Sequence, residues 1–216
     1  MESLFSAMIV LLLVSLSCFT SSEARYSNNG NITVKWDLMN WTPDGYVILL
    51  LTSRLNPYQA VVTAYNYQKQ RSVPGWTMSW RWTKKEVIWS TVGAQTTEQG
   101  DCSKFKFNIP HSCIRKPIVV DLLPGTPYNQ QIANCCKNGI LKPGLESSFQ
   151  LAVGNAGTSS KTARMPVNFT FTAPKQQYIC GPTKNVRPTR FITADKRRIT
   201  RALMTWNITC VFHKAT

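Results

Sequence analysis

A period of two, repeated along the chain, constrains the fold most. Pro74-Gly75-Trp76-Thr77-Met78-Ser79-Trp80-Arg81-Trp82-Thr83, if extended, puts Trp76, Met78, Trp80 and Trp82 on one face and Thr77, Ser79, Arg81 and Thr83 on the other. Similar alternation marks 32–36, 61–67, 87–91, 118–122, 149–153, 167–171 and 204–212 as short strands. Pro43-Asp44-Gly45, Pro74-Gly75, Pro124-Gly125-Thr126-Pro127 and Pro143-Gly144 punctuate them. No long helical pattern competes: 130–137 has room for one turn of helix, and 194–202 is ambiguous. Many short strands with frequent turns predict an all-β fold, a β-sandwich. The chain has 216 residues, 43% of them hydrophobic and seven of them Trp, enough to fill one core and too apolar for disorder.

Residues 9–16 form an apolar run too short to span a bilayer and long enough for a signal-peptide core. Ser22-Glu23-Ala24 supplies the small residues of a cleavage site, so residues 1–24 are expected to be a signal peptide and 25–216 the mature domain. No second apolar stretch of membrane length follows, and the protein is expected to be secreted, extracellular and free of a GPI anchor. Cleavage removes Glu2 and Glu23 and no base, leaving 25 Lys and Arg against 8 Asp and Glu, a net charge of +17. It also removes Cys18 and leaves Cys102, Cys113, Cys135, Cys136, Cys180 and Cys210, an even set that reads as disulfides rather than a zinc site, because no C-x-x-C pair exists. Adjacent Cys135 and Cys136 are expected to bond to different partners.

Four N-x-S/T sequons, at Asn31, Asn40, Asn168 and Asn207, are candidate glycosylation sites and carry structural information. In a strand, Asn and Thr two residues apart share a face, and a glycosylated face must be in solvent. This sorts Ile32, Val34 and Trp36 inward, with Val167, Phe169 and Phe171, and with Met204, Trp206, Ile208, Cys210 and Phe212.

Catalysis has little support. His111 and His213 are the only histidines, neither lies near a candidate nucleophile in sequence, and no Gly-rich phosphate loop or cofactor motif occurs. Glu86, Glu98, Asp101 and Asp121 could form a glycosidase pair, but ordinary surface and turn roles account for them. The dispersed cations Lys84, Lys85, Lys104, Lys106, Arg115, Lys116, Arg187, Arg190 and 196–198 fit either a solvated basic surface or a polyanion. For a secreted chain that polyanion is an acidic polysaccharide such as pectin or a negative membrane surface, not nucleic acid. The Trp76 to Trp82 row fits either a core-facing strand or a flat platform that stacks on sugar rings, and the pattern alone favours the core.

The segments Asn31-Ile32-Thr33-Val34-Lys35-Trp36-Asp37, Trp41-Thr42-Pro43-Asp44-Gly45-Tyr46-Val47, Pro74 to Trp82, Lys84-Lys85-Glu86-Val87-Ile88-Trp89, 93–102, Asp121-Leu122-Leu123-Pro124-Gly125-Thr126-Pro127-Tyr128-Asn129-Gln130-Gln131-Ile132-Ala133-Asn134-Cys135-Cys136 and Pro188-Thr189-Arg190-Phe191 resemble the plant COBRA family, over about 31–210. The resemblance implies a non-enzymatic cell-wall protein whose fold is similar to a cellulose-binding module, associated with cellulose deposition, microfibril orientation and oriented cell growth. Its implied partner is cellulose or another β-glucan, with no cofactor. Typical members continue into a further cysteine-rich region and a hydrophobic tail exchanged for a GPI anchor, and neither follows Cys210 here. Residues 48–59 interrupt the family's pattern and are expected to form a peripheral insertion. The resemblance tips the aromatic row toward sugar contact: Trp41, Trp76, Trp80 and Trp82 are the expected carbohydrate-binding residues, with Tyr46 beside the 43–45 turn. Trp36, Trp89 and Trp206 are assigned to the core.

Overall fold

A strand with large apolar side chains on one face must bury that face, and the way this chain does so decides its architecture. The computed structural model describes residues 31–41, 58–157, 159–193 and 195–213. The strands are β1 (Asn31–Trp41), β2 (Tyr58–Asn66), β3 (Thr77–Arg81), β4 (Val87–Val92), β5 (Ala94–Thr96), β6 (Ile118–Asp121), β7 (Glu146–Gly154), β8 (Val167–Ala173), β9 (Gln176–Cys180), β10 (Lys184–Val186), β11 (Arg190–Ile192), β12 (Ile199–Arg201) and β13 (Met204–His213). The only helical element among the described residues is a 3-10 turn at Tyr128–Gln130, shorter and earlier than the sequence suggests. The signal peptide, the 43–45 turn and Tyr46 lie outside the described residues.

The fold is all-β. One antiparallel sheet runs β4-β7-β2-β1-β13-β9-β8-β3-β6-β5, with β10 also on β13, while β11 and β12 form a separate hairpin. The sheet folds over itself, bringing Trp36 of β1 edge-on to Trp80 of β3, ring centroids 4.9 Å apart. Its two ends, β4 and β5, are consecutive in the chain and joined by Gly93. Gly93 has φ +84°, and a Cβ there would sit 3.0 Å from the Cys135 Cβ, so glycine answers both the backbone conformation and the space at this corner.

The register β1 makes with its neighbours sets the inner face. Ile32, Val34, Trp36 and Leu38 lie opposite Cys210, Ile208, Trp206 and Met204 of β13, and opposite Asn66, Ala64, Val62 and Ala60 of β2. Small side chains from β2 leave volume that the indoles of Trp36, Trp80, Trp82 and Trp206 fill. The inward assignment holds for Ile32, Val34, Trp36, Phe169, Phe171, Trp206, Ile208 and Cys210, all buried, while Met204 and Phe212 are half-buried against the core. Val167 is instead exposed. It faces the irregularity between Ser79 and Arg81, and Asn168 has φ +51°, so regular alternation in β8 starts only after them.

Three further expectations need correction. Cys135 and Cys136 bond to each other, because Cys102 pairs with Cys113 and Cys180 with Cys210. Tyr58 and Gln59 belong to β2, opposite Trp41 and Asn40, and Tyr58 is fully buried, so this end of 48–59 is not peripheral. Of the sequon asparagines, Asn40 and Asn168 are exposed, but Asn207 is half-buried and Asn31 is buried.

On the outer side of β1, Asp37 is buried and accepts a hydrogen bond from the Thr205 hydroxyl. Desolvation raises its pKa above the ordinary 3.8, and the bonds from Thr205 and Thr189 and the charge of Lys35 offset this only in part. The folded chain therefore binds more protons than the unfolded one between the two values. The group's contribution to stability is complete below 3.8 and declines as pH rises through the folded pKa. Asp37→Asn keeps an acceptor for Thr205 and removes the titration. Its thermal midpoint should fall less than that of the wild type between pH 4 and pH 7, whereas parallel midpoint curves would place the titrating group elsewhere.

Candidate functional site

The structure does not assemble the sequence-predicted aromatic residues into an exposed platform. Trp76, Trp80 and Trp82 are 2%, 0% and 1% exposed. Trp80 lies in β3 and Trp76 and Trp82 flank it; β3 is hydrogen-bonded to β6 on one side and β8 on the other, and its indole face meets the opposite half of the folded sheet. Trp80 stacks on Phe169 and meets Trp36 and Trp82 edge-on, while Trp76 stacks on Phe171. These three are core residues, a correction to the platform assignment. Trp41 is half-buried and packs edge-on against Tyr58, centroids 6.0 Å apart, at the end of β1. Tyr46 lies outside the described residues.

Trp89 is also not where its apolar run suggests. Inner packing in β4 falls to Ile88, while Trp89 is half-buried with its indole over Gly154, where a Cβ would come within 2.2 Å of Nε1. Phe105 meets it edge-on at 5.3 Å from the loop closed by Cys102–Cys113. Phe107 projects from the same loop almost wholly exposed.

A second aromatic group lies at the other end of the sheet's outer face. Alternation in β2 turns Ala60, Val62 and Ala64 inward, leaving Thr63 and Tyr65 outward, and Tyr67 follows just past the strand. The rings of Tyr65 and Tyr67 are near-parallel, 19° between planes and 6.0 Å between centroids, and Tyr67 is 48% exposed. Around them, Thr33 lies opposite Tyr65 on one side and Glu146 on the other, and Lys35 places its ammonium 5.2 Å from the Tyr65 ring. Asn134 donates a 2.6 Å hydrogen bond to Glu146. Burial, and then the Glu146 carboxylate, push the Tyr65 hydroxyl far above its ordinary pKa, so it stays a protonated donor through the acidic and neutral range. Two near-parallel phenol rings on an outer sheet face, rimmed by a hydroxyl, an ammonium, an amide and a carboxylate, offer aromatic area for a sugar ring and hydrogen-bonding groups for its hydroxyls. Nothing singled these tyrosines out within the expected 61–67 strand except that only small residues alternate with Thr63 and Tyr65.

Among the acids considered for catalysis, Asp121 accepts backbone N–H bonds from Leu122, Cys136, Lys137 and Gly139, at 3.0, 3.0, 3.0 and 3.2 Å. Glu86 is buried and accepts from the Thr83 hydroxyl and the Lys84 N–H. Asp101 accepts from the Ser103 N–H, and the hydrogen bonds from Ser103 hold its pKa below the usual carboxylate value. All three carboxylates hold turns.

These features define a disulfide-bonded all-β domain with its largest indoles in the core and smaller aromatic groups on one sheet face and one loop. The model of the COBRA N-terminal domain matches residues 58–213, and the chain belongs to the COBRA family. It is 77% identical to COBRA-like protein 5 of Arabidopsis thaliana, over the whole of both chains. It is 58% identical to Protein COBRA of Arabidopsis thaliana, with 96% of this chain and 45% of that protein covered. Against COBRA-like protein 3 of Oryza sativa subsp. japonica it is 56% identical, covering 93% of this chain and 43% of that one. The chain thus spans less than half the length of these last two relatives. No solved structure matches it.

Proposed function

We propose that this is a non-enzymatic, extracellular cell-wall protein that binds cellulose or a related β-glucan and contributes to microfibril deposition and oriented growth. The observation that carries the reading is the Tyr65–Tyr67 pair, two near-parallel rings on a polar-rimmed sheet face. Membership in the COBRA family supports it. Affinity comes from ring stacking, so it is largely insensitive to salt, and Lys35, Glu146 and Asn134 orient the glucan through its hydroxyls.

The test is retention on microcrystalline cellulose. Tyr65→Ala with Tyr67→Ala removes outward-facing rings from a strand whose inner side chains stay in place, so the thermal midpoint should change little. Losing contact on the order of 100 Å² should weaken binding by about 2 kcal/mol, more than ten-fold. Unchanged retention by this folded double variant would falsify the tyrosine site. Retention that disappears in high salt for the wild-type protein would favour a charge-driven ligand over neutral glucan.

A further inference from the structure

The β11–β12 hairpin is a separate two-stranded sheet and carries a large excess of positive charge. Between Arg187 and Arg201 lie six cations and one carboxylate, Asp195. That carboxylate is engaged at the turn, where it accepts from the Thr193 hydroxyl and the Arg197 N–H and lies 3.8 Å from the Arg197 guanidinium. This is the only ion pair among the described residues. Elsewhere Asp101, Asp121 and Glu86 serve backbone groups of turns, Asp37 serves Thr205, and Glu146 serves Asn134.

Within the hairpin, Arg190 lies directly opposite Arg201, and Ile192 opposite Ile199. Like charges facing each other across a ladder destabilise it. Alternation puts both arginines and both isoleucines on one face, and the isoleucines are 57% and 54% exposed. The base is fixed to the body: the Thr189 N–H donates to the Thr205 hydroxyl at 2.9 Å, and that hydroxyl donates to buried Asp37. Ala202 N–H bonds Thr189 O, and Leu203 N–H bonds Leu38 O in β1. A hairpin anchored this firmly presents its arginines in a set arrangement.

We propose that this face of the hairpin is a second binding site, for a linear polyuronate, separate from the tyrosine surface and independent of the glucan reading. Each uronate residue offers a carboxylate and an apolar C–H face. Paired arginines match the first bidentately, and the Ile192–Ile199 pair covers the second. Five of the six cations are arginine, the side chain suited to planar carboxylate. An anionic membrane fits the hairpin less well. The isoleucine pair sits mid-hairpin, with Arg190 and Arg201 toward the base and Lys196, Arg197 and Arg198 toward the tip, so insertion would carry cations into hydrocarbon.

The test measures the intact mature protein against de-esterified polygalacturonate, the fully methyl-esterified polymer, and vesicles containing phosphatidylserine. The expected result is binding to polygalacturonate alone. It should weaken at least ten-fold in Arg190→Gln with Arg201→Gln, and less than three-fold in Lys84→Gln with Lys85→Gln, which removes the same charge elsewhere. Cellulose retention should be the same in all three proteins, so this site and the tyrosine surface fail separately. Equal losses in the two double variants, no binding to polygalacturonate, or binding to vesicles that Arg190→Gln with Arg201→Gln abolishes would each overturn the proposal. The thermal midpoint of the arginine variant should not fall, because relieving a like-charge pair removes a repulsion.

Discussion

Trp80→Ala should destabilise the protein by about 3–5 kcal/mol, the usual cost of emptying a buried aromatic site. For a chain of this length that lowers the thermal midpoint by on the order of 10 °C. Trp80 is fully buried, stacks on Phe169 and meets both Trp36 and Trp82 edge-on, so its removal opens a cavity among rings that cannot close over it. Its indole N–H has no hydrogen-bond partner among the described residues, so the side chain acts through area and ring geometry. Trp80→Phe should therefore cost well under half as much, under about 2 kcal/mol. Denaturant unfolding checks both values. Folded Trp80→Ala should still be retained by cellulose; a variant with a wild-type midpoint and lost retention would return this indole to the surface.

The second large effect comes from the disulfides, and their sizes should rank by the chain each one closes. Cys180–Cys210 spans 30 residues and fastens β9 to β13 at the point where the sheet passes from one half to the other. Replacing both by Ala should cost about 3–4 kcal/mol by loop-closure entropy. The same relation gives somewhat under 3 kcal/mol for Cys102–Cys113, which spans 11 residues, and almost no entropic contribution for the adjacent pair Cys135–Cys136. Guanidinium midpoints of the three double-alanine variants should fall in that order. If the Cys135–Cys136 variant were the least stable, that bond would be acting on the folded corner at Gly93 rather than on the unfolded chain.

Strand-forming sequence in this chain is easy to read and strand environment is not. Long alternating segments such as 204–212 and 32–36 were legible because burying one face imposes a period that survives any choice of partner. The three-residue strands β5, β10, β11 and β12 are too short for a period and exist only because a neighbour pairs with them. Alternation in 76–82 showed that three indoles share a face, but whether that face meets solvent or core depends on β6, β8 and the fold of the sheet. The disulfides show the same division: an even set of cysteines was visible, and its pairing follows from topology. In the candidate site, Tyr65 and Tyr67 lay within an expected strand, and the mark of their outward direction was the size of the residues between them. Ala60, Val62 and Ala64 are what an interior crowded by tryptophan can accept.

The hydrogen bonds between β1 and β13 join the first and last strands among the described residues, with Asn31 opposite Val211 and Leu38 opposite Met204. During synthesis at roughly 5–20 residues per second, about 10–30 s separate the appearance of these two strands. Throughout that interval one whole edge of β1 lacks its partner, and the apolar side carrying Ile32, Val34 and Trp36 lacks the strand that completes its cover. Most pairings of this kind connect residues far apart in the chain, which places the protein among slow folders. Its vulnerable period is therefore the interval before β13 emerges, when the apolar side of β1 is made but an edge of that strand is still unpaired.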